Sequence, residues 1–155
     1  MLENLEDLDK ILLAGNFDVA YDLLKPLSED KKKEYLCNVA IDTHTIIPYG
    51  FICYALLKDN NYQWHDIASD VLFCTAWADG AYNLIVHHAW EALKVNPTTG
   101  RKFFLLYFNQ KMDSHNYLTK EQEIQLAYDV LTAKDKNSEY EKYAKNVMKK
   151  YNLFS

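Results

Sequence analysis

The 155 residues are 49% hydrophobic and 25% charged, with a net charge of −5, a balance that fits one soluble globular domain spanning 1–155. It excludes a disordered chain, a collagen-like repeat and a disulfide scaffold. Four glycines and three prolines are too few to punctuate an all-β sandwich, which needs a turn about every 8–12 residues, so helix is the expected element throughout.

In chain order, Leu5, Leu8, Ile11 and Leu12 repeat at helical spacing and stop at Ala14-Gly15-Asn16, a C-cap signal. A short helix follows from Asp18 to Leu24 and ends at Pro26. Ser28-Glu29-Asp30 opens the next, with acids in the first turn where the helix dipole favours them. Asp42-Thr43-His44-Thr45 interrupts that pattern, and Pro48 is expected in the first turn of a helix running through Leu57. After Asp59-Asn60-Asn61, two stripes define a central pair: Trp64, Ile67, Ala68, Val71, Cys74 and Ala78, then Ala81, Leu84, Ile85, His88 and Ala92, with Gly80 between them. Asn96-Pro97 closes the pair. Thr98 or Thr99 caps a helix containing Phe103 to Phe108, and Lys111 to Tyr117 reads as a polar loop. Thr119-Lys120-Glu121-Gln122 is a capping box opening a helix through Leu131, and Ser138 starts the last helix. The expected fold class is therefore all-α, an irregular array of eight or nine helices in hairpins, either solenoid-like or a compact orthogonal bundle. The stretches Glu91–Pro97 and Tyr128–Asn137 resemble the close of tetratricopeptide-type hairpins in architecture, without that repeat's Trp, Gly and Tyr positions.

Charge is unevenly divided. Residues 1–79 hold 14 acidic and 6 basic residues, and residues 80–155 hold 8 acidic and 11 basic. Arg101 is the one arginine, so the bidentate base contacts of nucleic-acid readers have little to draw on. The acidic half suits a basic protein partner, and neither DNA nor RNA is expected to bind. No apolar run is long enough to span a bilayer, and the acidic N-terminus lacks the features of a secretory signal, so the expectation is a cytoplasmic protein away from membranes. Cys37, Cys53 and Cys74 each sit in an apolar run and are expected to be buried free thiols.

Catalytic chemistry has one candidate pattern. The order His44, His65-Asp66, Asp129 resembles the HD-domain metal-dependent phosphohydrolases, whose imidazole and carboxylate ligands hold a divalent metal. Gln63-Trp64 before His65, and Ile67-Ala68-Ser69 after Asp66, depart from that family's usual flanks. His88 lies on an apolar stripe as a hydrogen-bonded core residue, while His87 is placed to pair with Glu91 at the surface. No phosphate-cradling glycine loop or nucleophile elbow is present, and no cofactor is expected.

The candidate site is a face, not a pocket. Asp66, Asp70, Phe73 and Trp77 recur at i, i+4, i+7 and i+11, opposite the Ile67/Val71 stripe, with Asp79 and Tyr82 just beyond. Solvation accounts for the carboxylates but not for the two rings. Either a second layer of helices buries the rings, or they form an interface for a Lys/Arg-rich partner. In size, acidity and its aromatic-acidic face, the chain looks like the small helical immunity proteins of bacterial toxin systems. That likeness implies a non-enzymatic binder that neutralises a cognate toxin. A helical-repeat adaptor is the other binding class, and gene neighbourhood separates the two.

Overall fold

The structure is a computed structural model and describes residues 5–75, 78–111 and 117–153. Among the described residues it contains nine α-helices and no strand: α1 (Leu5–Leu13), α2 (Phe17–Leu24), α3 (Glu29–Thr43), α4 (Ile47–Lys58), α5 (Tyr62–Cys74), α6 (Ala81–Val95), α7 (Thr99–Lys111), α8 (Lys120–Thr132) and α9 (Ser138–Lys150). The fold class is all-α, as composition and periodicity require.

Several helices start where a side chain satisfies free backbone groups. Gly15 and Gly80 sit at φ +78° and +82°, a left-handed conformation that glycine adopts without steric cost. The Asn61 side-chain oxygen accepts from the backbone N–H groups of Gln63 and Trp64 at 2.9 and 3.3 Å, starting α5. Thr98 is the cap of α7, accepting from Arg101 N–H at 3.2 Å, while the Thr99 hydroxyl donates to Asp135 instead. Helix α9 starts at Ser138 as expected, and Asn137 caps it, because its side-chain oxygen accepts from Tyr140 N–H at 2.9 Å. The capping box of α8 is complete: Thr119 Oγ1 accepts from Gln122 N–H at 3.2 Å, and Gln122 Oε1 accepts from Thr119 N–H at 2.8 Å. Thr119→Ala removes one of these bonds and should cost about 1 kcal/mol of stability. Denaturant unfolding checks this, and a loss below a few tenths would show the cap to be idle.

The fold comprises two compact units, one up to His88 and one from Ala89 onward. In the N-terminal unit, α3, α4 and α5 pack against one another, α1 packs on α2 and α4, and α2 on α4. Their apolar faces close a core that includes Leu12, Leu24, Leu36, Phe51, Ile52, Ile67 and Val71. Trp64 fills its centre, with the Phe51 ring edge-on at 5.9 Å and Tyr21 at 6.2 Å. Lys32 lays its ammonium 5.1 Å over the indole, so a cation lies beside the core. The apolar stripe of α6 differs from the sequence reading at one point: Leu84 is exposed, and Val86 and Ala89 are buried in its place.

In the C-terminal unit, α7, α8 and α9 pack against one another around Leu105, Leu106, Leu126, Val130 and Val147. Phe103 stacks on Tyr140 at 4.3 Å and meets Tyr143 edge-on at 5.5 Å. Residues 80–88 carry no Asp, Glu, Lys or Arg, so the charge division of the sequence coincides with the division into units. Among the described residues, no helix is long and apolar enough to cross a membrane.

Candidate protein-binding face

Helix α5 has two unlike sides. Trp64, His65, Ile67, Ala68, Ser69, Val71 and Leu72 are buried. Asp66, Asp70 and Phe73 occupy the other side at i, i+4 and i+7; the carboxylates are half-buried and Phe73 is 55% exposed. Among the described residues, no second helical layer buries that ring. Tyr82 lies half-buried in the first turn of α6, and Asp79 is exposed in the connection before it. Trp77 lies outside the described residues.

Asp70 has a partner that the sequence did not reveal. Lys33 of α3 places its ammonium 3.5 Å from the Asp70 carboxylate. Burial pushes the Asp70 carboxyl above its ordinary value, against the pull of Lys33, and the same carboxylate holds the Lys33 ammonium charged. A pair this exposed contributes little to stability. Its consequence is local: Asp70→Lys would set two ammonium groups against each other.

Behind this face runs a polar chain whose two central members are buried. His65 and His88 are 6% and 4% exposed, with their Nδ1 atoms 2.9 Å apart. His65 Nε2 is 2.9 Å from the Asn60 side-chain oxygen, and His88 Nε2 is 3.1 Å from the Tyr49 hydroxyl. The Tyr49 hydroxyl also meets the Cys53 thiol, and burial raises its pKa. Since an amide oxygen only accepts, His65 Nε2–H donates to Asn60, which leaves Nδ1 of a neutral ring bare. His88 must then donate from Nδ1, and its bare Nε2 accepts from Tyr49. Every bond is made with both rings neutral. Ser69 adds a tie between α5 and α6, its hydroxyl lying 3.4 Å from the Ile85 carbonyl.

Two residues of the phosphohydrolase-like pattern, His65 and Asp129, have other partners. Both His65 nitrogens are taken by His88 and Asn60. His44 is an exposed left-handed C-cap of α3 at φ 50°. Asp129 belongs to the C-terminal unit, where its carboxylate takes Lys102 at 2.7 Å and Gln125 at 2.7 Å. Among the described residues, no three His, Cys, Asp or Glu side chains gather as a metal would require. Glu91 accepts from Lys94 at 2.6 Å.

The cysteines depart from the expectation of three buried thiols. Cys53 is exposed, and Cys37 and Cys74 are half-buried, because an apolar run on a helix still turns one residue in three or four outward. Burial, together with a bond to the Cys74 thiol, pushes the Cys37 thiol up to about 12, leaving almost no thiolate at neutral pH. One thiol, Cys53, should therefore label fast in the native protein, and all three in denaturant. Fast native labelling of two or more would contradict this placement.

No family model, curated protein or solved structure matches this chain.

Proposed function

We propose that the chain is a protein-binding protein of the cytoplasm, an immunity protein that neutralises a cognate basic toxin by covering its active surface with the outer side of α5. The observation that carries the reading is Phe73, a large ring 55% exposed on the same helical side as Asp66 and Asp70. Aromatic anchors ringed by polar groups are the usual energetic centres of interfaces. The acidic surplus of the unit bearing this face, 14 acids against 6 bases, would steer a Lys/Arg-rich partner and speed its association. Asp66, Asp70, Phe73, Trp77, Asp79 and Tyr82 are the proposed contact residues.

The test starts from the gene next door, since an immunity gene normally sits beside that of its toxin. The product of that gene, purified and mixed with the chain, should form a complex whose dissociation constant rises with salt. A neighbour that is not basic and does not bind, together with recovery of chaperones alone from the source cell, would sink the proposal.

A further inference from the structure

The chain Asn60–His65–His88–Tyr49–Cys53 has a property that neither imidazole would have alone. A first added proton can be absorbed without losing a bond. His65 would then donate from both nitrogens, and His88 would accept at Nδ1 and donate from Nε2 to the Tyr49 oxygen, whose hydroxyl turns to Cys53. A second proton cannot be absorbed. With both rings cationic, two N–H groups face each other across 2.9 Å inside the core, and burial of like charges at that distance is strongly unfavourable.

We propose that the His65–His88 pair is a pH-operated latch that joins α5 to the middle of α6 and opens at mildly acidic pH, loosening the N-terminal unit. This inference does not depend on the partner proposed above.

The other titratable and charged groups of the unit do not reproduce the effect. From α4, Tyr49 and Cys53 belong to the chain itself. Before α5, Asp59 accepts from the Asn61 amide; on α5, Asp66 follows His65 on the outer side and Asp70 is held by Lys33. From α3, Lys32 lies over Trp64, and Cys37 meets Cys74. On α6, the His87 ring centroid is 5.2 Å from that of His88, but the residue is exposed.

The unfolded chain takes up a proton at each histidine near the ordinary value of about 6.5, whereas the folded pair holds at most one. The sign follows: stability is present above that range and lost as pH falls through it. His88→Asn supplies the comparison, because an amide in that place can donate to a bare His65 Nδ1 or accept from a protonated one. Against this variant, the unfolding constant of the wild-type protein should gain about tenfold more for each pH unit below about 6.5. The remaining histidines are present in both proteins. Nitrogen-15 NMR of the wild-type imidazoles gives a second reading that needs no variant. At pH 7.5 it should show protons on His65 Nε2 and His88 Nδ1 only, and native protein should never hold both rings as cations. Parallel pH curves for the two proteins, or two cationic rings in folded protein at pH 5.5, would overturn the latch.

Discussion

Glu123→Ala should unfold the C-terminal unit more easily by about 3 kcal/mol, the low end of the cost of breaking a buried ion pair. Glu123 is 1% exposed. Its carboxylate accepts from Asn109 Nδ2 at 2.5 Å, from Lys150 Nζ at 2.8 Å and from the Tyr151 hydroxyl. Asn109 is committed in turn, since its side-chain oxygen accepts from the backbone N–H groups of Tyr117 and Leu118 at 2.9 and 3.1 Å. One carboxylate therefore ties α7, the segment entering α8, and the end of α9. Truncation strands the buried Asn109 amide, whereas Lys150, half exposed at its side chain, returns to water and keeps the penalty from reaching the top of the range. Burial by itself would raise the Glu123 pKa, but the bonds from Lys150 and Tyr151 outweigh it and hold the carboxyl below its ordinary 4.5. The contribution is thus complete above about pH 4.5 and is lost as pH falls through the lower folded value. Hydrogen exchange of the α8 and α9 amides in wild-type and variant protein measures both effects. A loss under about 1 kcal/mol would mean that the network is ornamental.

Glu123 also marks how far the sequence could be read. It stands at i of the stripe Leu126, Ala127 and Val130, at i+3, i+4 and i+7, so a buried acid was legible from spacing alone. Its partners were not, since Asn109 and Lys150 come from other helices. The helix order was legible for the same kind of reason: caps such as Thr119 and breaks such as Gly80 act on neighbours a few residues away. The outer side of α5 followed from periodicity, and Phe73 lies on it as expected. Lys33 beside Asp70, and His65 against His88, depend on how distant helices meet, which local pattern does not encode. Cys53 was misplaced because hydrophobicity in a run says little about which way one residue of a helix faces.

The second large effect concerns binding. Phe73→Ala should raise the dissociation constant for the basic partner roughly 30-fold, equivalent to about 2 kcal/mol. The same change should leave the melting temperature nearly unaltered, because a side chain more than half exposed opens no cavity in the core. Had the ring been buried, the costs would be reversed, with about 3–5 kcal/mol lost from folding. Asp66→Lys should act on association: a repulsive charge set against a basic surface slows encounter and costs up to several kcal/mol, most at low salt. Salt dependence distinguishes the two variants, since the Phe73 effect should persist at high ionic strength while the Asp66 effect shrinks.

The most direct measurement is the dissociation constant of the basic partner for wild-type and Asp66→Lys protein side by side at low salt, with the melting temperature of each recorded. The proposed face predicts binding weakened by roughly 100-fold, about 3 kcal/mol, with a melting temperature within a few degrees of wild type. Equal affinity in a folded Asp66→Lys variant would contradict it.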